Sequence, residues 1–293
     1  MLEEIKSRYY NGSVISKLII INVGLFVIQS VLFLIFTIAG SGSLFSGFLN
    51  YLYVPAEPLA FIKQPWSILT YQFLHDPFGI FHILFNMLYL WWFGRIAIEF
   101  IKERYIIPLY LTGGLAGAVL FILIYSFSPA FGGSALLVGA SASVLAIVAA
   151  AATIVPDYTV QLILIGPVRL KWIALIAVLI DIVGITSGSN VGGHLAHIGG
   201  ALCGFLFIQS YKKGYNWFDW ILEWVDYLQA KWRKEPRVVY VNKDKPRTRT
   251  AERTTKSVSD QERMDAILDK ISKSGYDSLS KAEKEFLFRI SKD

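Results

Sequence analysis

Six apolar runs, at about 18–39, 81–100, 105–127, 136–155, 170–186 and 192–211, are each long enough to cross roughly 30 Å of hydrocarbon at about 1.5 Å per residue. They restrict the fold severely, because a backbone in lipid must satisfy its own hydrogen bonds and a helix does so within one segment. The charged content of 17% points the same way, since soluble chains carry roughly 25%. The expectation is an all-α membrane protein with six transmembrane helices. The first run, Leu18 to Ala39, is too long for a signal-peptide core and is read as a retained span.

The basic residues set the orientation. With the amino end inside, the inner segments carry Lys6, Arg8, Lys17, Arg95, Lys102, Arg104, Arg169, Lys171, Lys212 and Lys213, whereas the outer ones carry Lys63. The reading is a multi-pass protein of a bacterial plasma (inner) membrane with both termini cytoplasmic. Residues 1–17 form the lead, 18–211 the helical core, 212–234 an amphipathic interfacial helix, 235–259 a flexible linker and 260–293 a small helical hairpin. The tryptophans 217, 220 and 224 suit the interface. The linker stretch holds seven basic against three acidic residues from Glu235 to Lys256. In the hairpin, Gly275 ends the first helix and Ser280 with Glu283 forms a capping box for the second. A hairpin of this size has little core of its own, so it is expected to recruit a cytoplasmic partner or regulate access to the core. The net charge of +6 favours anionic lipid over nucleic acid, for which no motif is present. The single cysteine, Cys203, is read as a small packing residue.

Residues 40–80 make a long connection rich in aromatic side chains, expected to lie in the outer interface as short helices. Small residues four apart, among them Gly113 with Gly117 and Gly200 with Gly204, permit close helix approach.

Polar groups at depth carry the functional argument. The second, fourth and sixth runs enter from the outer face, and each places polar residues in its first two turns: His82 and Asn86, Ser141 and Ser143, His194 and His197. These groups lie about 2–9 Å below their helix starts, hence at one level. A serine becomes nucleophilic when an imidazole on a facing helix takes its proton. His82 and Asn86, at i and i+4, offer side-chain donors for an oxyanion beside the Ser141 N–H. The arrangement reads as a Ser/His dyad within hydrogen-bonding reach, with Asp181 of the fifth run a candidate third carboxylate.

The string Trp66-Ser67-Ile68-Leu69-Thr70-Tyr71-Gln72-Phe73-Leu74-His75, then His82-Ile83-Leu84-Phe85-Asn86-Met87, then Gly139-Ala140-Ser141, then Ala196-His197-Ile198-Gly199-Gly200 with Gly204, resembles the rhomboid family of intramembrane serine proteases. The resemblance covers about 60–210 in the family's order. It implies a six-helix rhomboid core with a cytoplasmic tail, an endopeptidase acting on transmembrane substrates within the bilayer. By matching position, Ser141 is the nucleophile, His197 the base, and His82, Asn86 and the Ser141 N–H the oxyanion donors. His194, Asp181 and Gly139 are supporting positions, and Glu99 matches a structural acid of the family. The sequence departs from the pattern at Ala142, where Gly often follows the serine, and at Leu145, where an aromatic residue often stands near the histidine.

Competing readings were weighed on the same residues. Ser143 points to another face than Ser141 and is read as packing. His75 with Asp76 is read as an interfacial cap, and Arg95 with Glu99 as an i, i+4 pair. A zinc site from His75, His82, His194 and His197 has poor ligand spacing, so no metal or cofactor is expected. The alternatives to proteolysis are a catalytically silent rhomboid-like protein that binds client helices, and a channel or transporter, which the lack of an inverted repeat disfavours.

Overall fold

The computed structural model describes residues 12–131, 134–162, 165–188, 190–232 and 251–290. The chain divides into two compact units, Met1–Gln229 and Ala230–Asp293. Residues 1–11 of the lead, 233–234 of the stretch read as interfacial helix, 235–250 of the stretch read as linker, and 291–293 lie outside the described residues.

The first unit is a helical bundle. Five helices are long and apolar enough to cross a membrane: α1 (Val14–Ile38), α5 (Ile80–Phe100), α6 (Ile106–Phe127), α8 (Leu170–Ser187) and α9 (Val191–Lys212). The connection between α1 and α5 folds into α2 (Gly42–Asn50), strand β1 (Val54–Pro55), α3 (Pro58–Lys63), α4 (Ser67–Thr70) and a 3₁₀ turn, Tyr71–Phe73. Leu44, Phe48, Leu59 and Ile62 of these short helices stay exposed, as interfacial segments require.

The fourth apolar run departs from expectation. Leu136–Leu137 form strand β2, antiparallel to β1 with Val54 opposite Leu137, and α7 begins only at Ser141, running to Ile154. Gly139 accounts for the break: its φ of 125° is left-handed backbone no helix tolerates, and its N–H donates to the Tyr71 carbonyl at 3.1 Å. At 14 residues, α7 is about 21 Å long, short of the hydrocarbon thickness. A short helix is stable there because protein surrounds it; ten of its residues are buried. Lys212 of α9 caps its far end by donating to the Thr153 carbonyl at 2.6 Å. A hairpin of β3 (Thr159–Leu162) and β4 (Gly166–Arg169) then leads into α8.

Small residues set how closely α9 approaches α7. A Cβ on Gly200 would lie 2.1 Å from the Ala142 carbonyl oxygen, and one on Gly204 2.0 Å from that of Ala146. Neither distance admits an atom, so the backbones touch. The α1–α5 connection is in turn pinned to the bundle by polar groups. Tyr71 donates to the Gly114 carbonyl at 2.6 Å, Tyr110 to that of Gln72 at 2.8 Å, and Ser143 to Gln72 Oε1 at 3.0 Å. Ser143 is therefore more than packing: it ties α7 to the connection. Cys203 is buried, as a packing residue would be.

Arg95 and Glu99 form no ion pair among those of the described residues; the Arg95 guanidinium lies 5.4 Å over the Trp91 ring. Helix α10 (Asp219–Trp232) begins with Asp219 accepting from Tyr105, and Asp226 pairs with Arg104 at 2.8 Å. Trp220 and Trp224 remain exposed, as the interfacial reading expects.

In the second unit α11 spans Ala251–Ser274, so helix begins inside the stretch read as flexible linker; Ala251, Glu252, Arg253 and Lys256 are good helix formers even without apolar periodicity. Gly275, at φ 76°, ends it, and α12 covers Lys281–Ile290. Ile267, Leu279 and Phe286 form the small core. The Ser280 N–H donates to Glu283 Oε2 at 2.7 Å and the Glu283 N–H returns to Ser280 Oγ at 3.4 Å, the reciprocal capping box.

Two outcomes follow. Gly200→Ala forces α9 off α7 and should destabilise the bundle by about 1–3 kcal/mol, read from unfolding in micelles. Glu283 is held down to about 2 by the Ser280 N–H, then by Lys270 and the Ser280 hydroxyl. Its contribution to α12 is thus present above the unfolded value near 4.5 and is lost as pH falls toward 2. Hydrogen-exchange protection of 281–290, taken as the ratio of wild type to Glu283→Gln at each pH, should approach one across that window.

Candidate active site

Ser141 is the first residue of α7, where the opening N–H groups of a helix have no intrahelical acceptor and the dipole is positive. The Ser141 N–H is therefore a donor available to an anion formed on its own side chain's target. The left-handed Gly139 brings His82 alongside: a Cβ at Gly139 would lie 2.9 Å from His82 Cε1 and 3.7 Å from Ser141 Oγ. Only glycine leaves room for that imidazole.

Ser141, His197, His82, Asn86 and Asp181 all line one cavity of about 800 Å³. Its remaining walls are apolar: Phe85 and Tyr89 of α5, Leu145 of α7, Trp172 and Ile176 of α8, and Ile165 of the β hairpin. The cavity thus opens between α5 and α8, with the polar groups gathered at one end.

The structure brings the expected site residues together and separates the roles of the two α9 histidines. His194 Nδ1 and His197 Nδ1 lie 2.8 and 2.7 Å from the same Asp181 oxygen. His197 lines the cavity; His194 instead stacks against α8, where a Cβ on Gly184 would lie 2.4 Å from its Nε2. Of the two, His197 is the one that shares the cavity with Ser141. The direct Ser141–His197 hydrogen bond expected from sequence is not among those of the described residues, whose network ends at His197 Nδ1. Catalytic hydrogen bonds are often long without substrate and shorten when it binds.

His75 is the residue whose part the sequence did not convey. It is no interfacial cap: it is fully buried, its ring centre 5.5 Å from that of His82, and its Nε2 takes a donation from the Asn86 amide at 3.4 Å. Burial, then the neighbouring His82, pushes His75 down to about 3, so it stays neutral and serves Asn86 as an acceptor. An amide has two N–H groups, which leaves the other for a ligand. Gln29 holds the His75 backbone from α1. The signal was present in the short His75 to His82 spacing, but burial is not legible in a loop.

The two departures from the family pattern have local accommodations. The Ala142 methyl lies where α6 presents Gly117, whose own Cβ would sit 2.7 Å from it. Leu145 lines the cavity in place of an aromatic ring. As for metal, the ligand atoms of Asp181, His194 and His197 lie within 4.8 Å of one another, so this trio has the donor set and the closeness to hold an ion. The same atoms already satisfy each other as hydrogen bonds. The four-histidine set is not brought to one point: His75 pairs with Asn86 and His194 with Asp181.

A helical membrane bundle with this serine, these histidines and this cavity is a rhomboid. Residues 63–212, half the chain, match the Rhomboid domain, and the chain belongs to that family. It is 31% identical over 137 residues to presenilin-associated rhomboid-like protein A, mitochondrial, of Danio rerio, covering 45% of this chain and 34% of that protein. It is 29% identical over 160 residues to RHOMBOID-like protein 12, mitochondrial, of Arabidopsis thaliana, covering 50% and 47%. A further relative, presenilin-associated rhomboid-like protein, mitochondrial, of Rattus norvegicus, is 30% identical over 138 residues, covering 45% and 34%. The chain thus spans less than half the length of each of these relatives. Residues 254–293 match a family of unknown function, DUF6576.

Gly139→Ala should displace His82 from beside Ser141. The expected result is a loss of about 10²-fold in the rate of Ser141 labelling by a fluorophosphonate, with the bundle still folded by size-exclusion chromatography.

Proposed function

We propose that this rhomboid is an intramembrane serine endopeptidase that cleaves transmembrane protein substrates. The observation that carries the reading is the single cavity holding Ser141 at a helix N-terminus, His197 on the helix packed against it, and His82 with Asn86 opposite. His197 Nε2 takes the Ser141 proton as Oγ bonds to the scissile carbonyl carbon. The carbonyl oxygen, now an anion, accepts from the Ser141 N–H and from His82 and Asn86. The C–N bond breaks as His197 returns the proton to the leaving amine, and water repeats the sequence on the acyl-enzyme. No cofactor or metal takes part in these steps.

The apolar slot between α5 and α8 supports entry of a substrate segment from the bilayer, its backbone locally unwound to expose a carbonyl. The basic residues support an orientation with both termini on the cytoplasmic face, and we read the membrane as a bacterial plasma membrane; the mitochondrial designation belongs to the relatives. We assign 212–234 to interfacial anchoring and 260–293 to recruiting a cytoplasmic partner or regulating access. Deletion of 260–293 that leaves partners, localisation and cleavage unchanged would remove that last assignment.

Proteoliposomes with a transmembrane model substrate test the main reading. Ser141→Ala and His197→Ala should abolish cleavage, and His82→Ala or Asn86→Ala should each lower kcat by about 10²–10³-fold. A wild type that binds the substrate helix but neither cuts it nor takes a fluorophosphonate label is instead a silent client-binding rhomboid.

A further inference from the structure

We infer that Asp181 is a positioning residue that extends the Ser141–His197 pair to three members, with His194 clamping its carboxylate from a second side. The inference rests on the proposed roles of Ser141 and His197.

Asp181 is the lone acid of α8, an otherwise apolar helix, and is 5% exposed. A carboxylate at that depth is costly unless its oxygens are met by donors. Two arrive from one face of α9, three residues apart: the Nδ1 atoms of His194 and His197, both on Oδ1. A carboxylate only accepts, so each Nδ1 must carry its proton and each Nε2 its lone pair. For His197 that is the tautomer a general base needs, because the lone pair is then on the nitrogen left free for the serine. When His197 takes the serine proton, the imidazolium forms against a carboxylate already in place.

The two imidazoles do not share this consequence. His194 is wedged against Gly184 and does not line the cavity, so its contribution is to fix Asp181 on α8 relative to α9. His197 keeps its outward nitrogen in the cavity. One carboxylate with two donors of the same kind is held in place more firmly than one with a single donor, and it holds the base in turn. The rival use of the trio is a metal site, since the same three ligand atoms converge.

The test uses the full-length protein in proteoliposomes with a transmembrane model substrate. Asp181→Asn keeps the shape and can still turn its carbonyl oxygen to both Nδ1 atoms, but it removes the negative charge against which the His197 imidazolium forms. It should lower kcat by about 10²–10⁴-fold with KM within about twofold, and slow fluorophosphonate labelling of Ser141 in parallel. His194→Gln, which loses the clamp and spares the base, should lower kcat by less, about 3–30-fold, and Asp181→Glu should recover part of the Asn loss. Nitrogen-15 NMR of histidine-labelled protein should find His197 protonated at Nδ1 in the wild type. An Asp181→Asn enzyme with wild-type kcat overturns the inference. So does a wild-type His197 protonated at Nε2, which decides the matter if the variants fail to fold. Activity lost to a chelator and restored by zinc would also overturn it and make the trio a metal site; the expected result is activity unchanged by chelation. A wild type without activity, or a Ser141→Ala that still cuts, refutes the proteolytic reading itself and is told apart by that result.

Discussion

Because Gly200 and Gly204 have no side chains, α9 lies directly on the carbonyls of Ala142 and Ala146, and the groups that meet in the cavity are placed by that contact. Packing in a membrane gains nothing from expelling water between helices, so it depends on close dispersion contact and on hydrogen bonds made in apolar surroundings. A bundle held this way is stiff where glycine meets backbone. Ser141 heads one of the touching helices and His197 lies one turn before Gly200 on the other, so the relative placement of these two residues is set by backbone rather than by long side chains.

Around that contact, polar groups at depth are largely answered by one another, although among the described residues Gln29 Oε1, Ser30 Oγ, Ser67 Oγ and His75 Nδ1 have no partner. Gln72 joins α6 and α7 to the α1–α5 connection, His75 supports Asn86, and Asp181 receives His194 and His197. These links share a physical cause: an unmet donor or acceptor in a low-dielectric interior costs about 1–3 kcal/mol or more, so each fixes its neighbour's geometry. The connection before α5 is thereby part of the site. Its turn at Tyr71 takes the Gly139 N–H, and Gly139 makes room for His82.

The wall between α5 and α8 contrasts with this. Ile176 and Ile180 of α8 are exposed, and α8 carries Asp181 on its inner side toward α9. One helix therefore bounds the apolar slot and also holds the carboxylate. Trp172 and Ile176 line the apolar part of the same cavity that Asp181 and His197 line with polar groups.

The sequence by itself determined the helical membrane class, the rhomboid motifs and the identity of Ser141, His197, His82 and Asn86 as one set. Long apolar runs and their polar interruptions are local features, and the depth match of three helices follows from rise per residue alone. It also contained the Ser280–Glu283 cap, which spans three residues. Only the tertiary structure decided the rest. That α7 starts at Ser141 rather than at 136 depends on a strand pair with Val54 and on the Tyr71 carbonyl, both far along the chain. That His197 lines the cavity while His194 is wedged against Gly184, and that both share Asp181, depends on how α8 and α9 are rotated against each other. Rotation between helices is fixed by contacts across the bundle, and no pattern within a single run encodes it.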